Sequence, residues 1–323
     1  MESRIEVRSL HKSFGAITAV NDISCEVRTG DVLGFLGPNG AGKTTAMRMI
    51  TGYLTPDKGS VSVCGIDVLK HPVAAKEKLG YLPEGAPLYP EMTPASFLGF
   101  VARIRGIEGS ERTIRLSEIA ELVHLKEVWK QPIETLSKGF KRRLGLAQAI
   151  LHDPPVLVLD EPTDGLDPNQ KREVRDLVKT MAKDKAIIIS THILEEVRDV
   201  CNRAIIITRG KIVANGTPME LEAMSSYHNA VSILLSAKQE ESLTTALNDL
   251  PDVARVLSET VNSDTVLCTA FPQNGRPILA KIADLLNSGP WHILELRQES
   301  GRLDEVFHNL TVPAKDPNEG GRA

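Results

Sequence analysis

Residues 37–44 run Gly37-Pro38-Asn39-Gly40-Ala41-Gly42-Lys43-Thr44, a glycine-rich loop of the form G-x-x-x-x-G-K-[ST]. A short apolar run ending at Leu36 enters it, and the segment Thr44–Tyr53 leaves it with Met47, Ile50 and Leu54 at helical spacing. Strand, glycine loop and helix follow in that order. Glycines let the backbone wrap closely enough for successive N–H groups to point at phosphate oxygens. Lys43 then supplies a point charge to the outer phosphates, and the Thr44 hydroxyl a ligand for Mg²⁺. By average residue frequencies such a pattern arises by accident in roughly one chain in a hundred of this length. Its place between an apolar strand and a helix makes accident a poor explanation.

A second motif completes the same chemistry. Val156-Leu157-Val158-Leu159 is an apolar run that delivers Asp160-Glu161 at its carboxyl end. Acidic pairs at strand ends are often only solvated turn residues, but beside a phosphate loop they take distinct roles. Asp160 is placed to hold Mg²⁺ directly or through water, and Glu161 to polarise an attacking water. The two motifs together read as nucleoside triphosphate hydrolysis.

Composition narrows the setting. The chain has 323 residues, 41% hydrophobic and 25% charged, which excludes a disordered or fibrous protein. Its 38 Lys and Arg against 42 Asp and Glu give a net charge of −4, so no polybasic surface points to a nucleic-acid partner. Four scattered cysteines, Cys25, Cys64, Cys201 and Cys268, form neither a zinc pattern nor a disulfide framework, and are expected as buried thiols. The longest apolar runs fall far short of the ~20 residues of a membrane-spanning helix.

Along the chain, Ile5–Val7, Ser13–Gly15 and Ile23–Val27 read as short β segments around a glycine turn. Helical patterns follow at Pro94–Arg105, Glu111–Val123 and Lys141–Leu151. The wholly apolar Val156–Leu159 and Ala186–Ile189 read as parallel strands buried on both faces, with the helix Asn169–Ala182 between them as a βαβ unit. After Gly216-Thr217-Pro218 the character changes, and residues 225–312 read as β-α-β-β-α-β, the order of a ferredoxin-like unit, followed by a short helix. The end, residues 313–323, is expected to be a disordered tail.

The motif order resembles the ATP-binding cassette (ABC) family of ATPases. The glycine loop 37–44, Leu136-Ser137-Lys138-Gly139-Phe140, Asp160-Glu161, Gly165-Leu166-Asp167 and His192 follow the order of that family's phosphate loop, signature, Walker B motif, D-loop and switch histidine. The resemblance covers residues 1 to about 220. It implies an α/β fold of the P-loop NTPase type, a RecA-like core with an antiparallel β subdomain and an inserted α-helical subdomain at about 85–153. Residues 1–224 would form this nucleotide-binding domain and 225–312 a C-terminal α+β accessory domain. Gly37, Pro38, Asn39, Gly40, Ala41, Gly42, Lys43, Thr44 and Thr45 would bind ATP, Phe14 would stack on adenine unless it is simply a core residue, and His192 would contact the γ-phosphate. Thr44, Glu84 and Asp160 would hold Mg²⁺, with Glu161 and His192 catalytic. Ser137, Lys138 and Gly139, ahead of a helix starting at Lys141, would act in trans on the ATP of a second subunit, beside the D-loop Asp167.

Two departures stand out. The signature is LSKGF against the usual LSGGQ, and Glu84 replaces the usual Gln in Tyr81-Leu82-Pro83-Glu84. Both resemble variants of the bacterial type-2 exporter and gliding-motility subgroup. One loop and one signature imply a homodimer around two ATP-Mg. The implied work is driving a separate integral-membrane permease from the cytoplasmic face, with the helical subdomain and the loop after Glu84 as its contact. Leu303-Asp304-Glu305-Val306-Phe307 resembles the ending of type-2 exporter ATPases, which points to export. The rival is an ABC ATPase without a membrane partner, working in repair, translation or assembly. Residues 225–312 are either a ligand-binding module or a dimer-stabilising extension.

Overall fold

The computed structural model describes residues 3–312; the expected tail at 313–323 lies outside them. The chain divides into two compact units between Thr217 and Pro218, slightly before the change of character expected at 224/225.

The first unit opens with a hairpin, β1 (Ser3–Phe14) and β2 (Ile17–Arg28). It is one continuous ribbon rather than the three short segments expected, because register shifts between Val7 and Leu10 and between Leu10 and His11 break the strict alternation that marks a strand in sequence. After β3 (Val32–Leu36) and α1 (Lys43–Ile50), β4 (Lys58–Val63) and β5 (Ile66–Asp67) join the hairpin in an antiparallel sheet of order β2-β1-β4-β5. Then come α2 (Pro72–Glu77) and β6 (Leu79–Leu82).

The helical insertion occupies α3 (Pro94–Ile104), α4 (Gly109–Leu122) and α5 (Lys138–Ile150). A capping box between Thr93 and Ser96 starts α3. The chain returns to the core through β7 (Val156–Asp160), α6 (Pro168–Met181), β8 (Ala186–Thr191), α7 (Leu194–Val200), β9 (Arg203–Thr208) and β10 (Lys211–Gly216). The central sheet runs β10-β9-β3-β8-β7-β6, parallel throughout except for the edge strand β10. Every residue of β3, β7 and β8 is buried, as a sheet covered on both faces requires. The core joins Phe35, Met47, Ile50, Val158, Ile188 and Ile205 from that sheet and α1 to Ile5, Ile23 and Val63 of the antiparallel sheet.

The second unit contains α8 (Pro218–Glu222), β11 (Val231–Ser236), α9 (Glu240–Asn248), β12 (Val253–Thr260), β13 (Thr265–Pro272), α10 (Leu279–Ser288), β14 (Ile293–Gln298) and α11 (Leu303–Thr311). Its sheet order β12-β13-β11-β14, all neighbours antiparallel, is the split βαβ of the ferredoxin-like fold. One face of the sheet, with Ile233, Leu235, Val266 and Cys268, packs on Leu243 and Leu247 of α9 and Ile282 and Leu286 of α10. Cys201 and Cys268 are buried and Cys25 and Cys64 half-buried, all as free thiols.

Candidate nucleotide-binding site

The glycine loop sits at the carboxyl end of β3, at the middle of the parallel sheet. Two of its glycines are sterically required. A Cβ on Gly37 would fall 2.4 Å from the Ile207 carbonyl oxygen, and one on Gly42, at φ +106°, would fall 2.3 Å from that of Ala19. Because Gly42 occupies the N-cap of α1 with no side-chain cap, the first-turn N–H groups are left as donors for an anion. Lys43 is buried, and its Nζ donates to the Gly37 and Pro38 carbonyls at 2.7 and 3.1 Å. Burial pulls its ammonium pKa below the usual lysine range, while Glu161, Asp160 and Glu84 oppose the shift.

Facing the loop is the end of β7. Asp160 is fully buried, and its Oδ1 accepts the Ser190 hydroxyl of β8, while Oδ2 has no partner among the described residues. Glu161 takes the left-handed conformation, φ +50°, and its N–H donates to the carbonyl and hydroxyl oxygens of Ser190 at 3.2 and 3.1 Å. That turn directs its carboxylate to His192, whose Nδ1 lies 3.0 Å from Oε1. Thr191 and Thr163 both donate to the buried Glu196 of α7, fixing the loops that carry His192 and Glu161.

Asn39, Gly40, Ala41, Gly42, Lys43, Thr44, Thr45, Glu84, Glu161 and His192 line one cleft of about 560 Å³, together with Ala19 and Asp164. Phe14 does not line it. The ring is half exposed near the hairpin tip, with Lys12 Nζ 5.7 Å from its centroid, rather than sitting in the core. The signature residues are also absent from the cleft. Lys138 lines a neighbouring cavity of about 470 Å³ that shares Glu84 and Asp164 with it. α5 starts at Lys138, not Lys141, because the Ser137 hydroxyl caps it by accepting the Phe140 N–H at 3.3 Å. Gly139 therefore lies in the first turn, where a Cβ would meet Gln170 Oε1 at 2.6 Å. Asp167 caps α6, accepting the Gln170 N–H at 3.0 Å.

Three residues that frame the cleft escape the sequence reading. Ser190 bridges the two acidic residues, Asp164 lines the cleft, and Arg142 of α5 donates to the carbonyls of Asp160 and Glu161. Asp164 is foreshadowed only by lying between two motifs; the other two are visible only through contacts across 18–30 residues of sequence.

A phosphate loop at the end of a central parallel strand, facing a strand-end acidic pair, defines a P-loop nucleoside triphosphatase. The ABC transporter family model matches residues 20–164. The chain is 30% identical over 308 residues to the linearmycin resistance ATP-binding protein LnrL of Bacillus subtilis (strain 168), covering 95% of this chain and 98% of that one. It is 31% identical over 308 residues to Nod factor export ATP-binding protein I of Ralstonia nicotianae, covering 95% and 93%. A solved ATP-binding subunit of an ABC transporter superposes with a TM-score of 0.64 at 28% identity, covering 68% of this chain and 92% of that one. The chain belongs to the ABC transporter ATP-binding proteins and is an ATP-binding ABC ATPase.

Proposed function

We propose that two copies of this chain close around two ATP molecules and that hydrolysis in this dimer drives a membrane permease. The observation that carries the reading is the separation of the two half-sites. Lys43, Glu161 and His192 share a cleft that Ser137, Lys138 and Gly139 do not reach. A second copy would bring its capped α5 N-terminus, with Ser137 and Lys138 exposed, to the γ-phosphate. ATP then favours the closed dimer because its contacts to the partner's signature exist only there.

Within one copy, the loop N–H groups and Lys43 would hold the phosphates, and Phe14 would stack on adenine. Glu161 would polarise the attacking water, and His192 would orient Glu161 and meet the γ-phosphate. The donor set suits Mg²⁺. Asp160 Oδ2 is a buried acceptor lacking a partner among the described residues, and Thr44 and Glu84 line the cleft at the glycine loop. No group of three acidic, His or Cys side chains forms a dedicated metal cage among the described residues, as expected for an ion held by one or two protein ligands, water and phosphate. When bound, it would neutralise charge on the phosphates.

For the permease, the supporting surface is a groove of about 710 Å³ bordered by Tyr53, Tyr81, Tyr89, Phe97, Phe100 and Ile104. Tyr89 belongs to the loop after Glu84, and Phe97 to Ile104 to the helical insertion. Tyr53, Tyr89 and Ile104 are exposed apolar surface of the kind that marks a partner contact. No described helix is long and apolar enough to cross a membrane; in this reading the spanning part is a separate chain, and this chain docks on it at the inner face of the membrane. The relatives named for resistance and export support export.

The test is co-expression of the tagged chain with the polytopic membrane protein encoded beside it. Recovery of both from detergent extract, lost on Ile104→Asp, supports the reading. An active ATPase that recovers no membrane subunit contradicts it.

A further inference from the structure

The parallel ladder between β6 and β7 ends at Leu82 and Leu159. Beyond it, β6 and β7 are no longer paired with each other, so the ladder does not join Pro83 and Glu84 on one side to Asp160 and Glu161 on the other. The Arg142 guanidinium takes over that link. Its Nη1 donates to the Pro83 and Glu84 carbonyls at 2.9 and 2.7 Å, and its Nη2 to those of Asp160 and Glu161. The planar fork of arginine suits two pairs of acceptors held in fixed geometry, which the point charge of lysine does not reproduce. The side chain is buried, and four carboxylates, Asp160, Asp164, Glu161 and Glu84, offset part of the cost of burying its charge.

Arg142 lies about one turn along the helix that Ser137 caps. We propose that Arg142 is a positioning residue that makes the orientation of the signature helix and the placement of Glu84 and Glu161 one mechanical unit. The backbone of Glu161 is held on both sides, its N–H by Ser190 and its C=O by Arg142 together with the Asp164 N–H at 3.0 Å, so its left-handed conformation is fixed from two directions. A shift of α5 as the partner subunit engages Ser137 is thereby carried to both acidic side chains of the cleft. This rests on the dimeric ATPase reading above and assigns the device that couples closure to chemistry.

The test compares Arg142→Lys, which keeps the charge, and Arg142→Gln with wild type, each rate taken per ATP-binding site titrated with labelled nucleotide. Arg142→Lys should lower kcat by between about tenfold and a hundredfold, the range a misplaced catalytic group produces, with the KM for ATP within about twofold. In a Glu161→Gln background the same substitution should lower the residual rate by less than about twofold, because the two residues act as one unit. A kcat for Arg142→Lys equal to wild type overturns the proposal, as does an equal loss in both backgrounds or a parallel loss of ATP binding. If Arg142→Gln fails to fold, the lysine variant alone decides. A wild-type chain that hydrolyses ATP as a monomer would instead sink the dimer reading.

Discussion

His192 Nδ1 stands 3.0 Å from Glu161 Oε1, with the imidazole half exposed and the carboxylate largely buried. For this contact to be a hydrogen bond to an ionised carboxylate, Nδ1 must carry the hydrogen, which leaves Nε2 free to face a ligand. The pair is built from two neighbouring parallel strands, β7 and β8, whose register sets Asp160 opposite Ser190. Placement of the Glu161 carboxylate thus follows from sheet geometry.

Glu161→Gln keeps the side chain's shape and its contact with His192 but removes the proposed base. Hydrolysis should fall about 10²- to 10⁴-fold, while ATP affinity is retained. Size-exclusion chromatography with MgATP should show a dimer absent without nucleotide. A variant that turns over normally would reject the assignment.

Lys43→Ala removes the loop's charge and its two bonds to the Gly37 and Pro38 carbonyls. Charge-assisted hydrogen bonds to phosphate contribute about 1.5–3 kcal/mol each, so ATP binding should weaken by at least about tenfold. Equilibrium binding of a fluorescent ATP analogue measures this directly.

Ser190→Ala removes the donor on Asp160 Oδ1 and one of the two acceptors of the Glu161 N–H, leaving the Ser190 carbonyl in place. A buried acceptor left without its donor costs about 1–3 kcal/mol, read as a lowered denaturant midpoint at unchanged slope. kcat should fall more than the KM for ATP rises. Unchanged stability would contradict the bridging role.

His152 supplies a pH dependence of stability. Burial, helped by Arg105, pushes its pKa down from 6.5 to about 4 in the folded chain. Above pH 6.5 the ring is neutral in both states and contributes nothing; as pH falls from there toward 4, only the unfolded chain takes up the proton, so stability is lost. The loss should reach about 1 kcal/mol at pH 5, allowing for solvent access to the ring. Denaturant unfolding at pH 7 and pH 5 should show a smaller difference between the two pH values in His152→Gln than in wild type.

What the sequence reveals of this site follows from locality. The loop at 37–44 and the strand ending in Asp160-Glu161 declare themselves because strand, turn and functional residue are contiguous. Buried strands such as Ala186–Thr191 are legible because both faces are apolar. The hairpin β1–β2 is less so, since its register shifts scramble alternation. The start of α5 is obscured by Gly139, a poor helix former, although Ser137 carries the capping signal. Ser190 and Arg142 acquire meaning only through the sheet, which brings residue 142 to residues 83, 84, 160 and 161.

If one chain's loop works with the other chain's signature, two variants that are each inactive should restore activity to one another when mixed. Lys43→Ala disables the loop. Ser137→Asp keeps a good helix cap but sets a negative charge where the γ-phosphate would lie. Each variant alone should hydrolyse almost no ATP. Mixed in equal amounts, they should regain hydrolysis, because a mixed dimer contains one intact site made from the Ser137→Asp chain's loop and the Lys43→Ala chain's signature. A mixture no more active than its components would contradict the composite site.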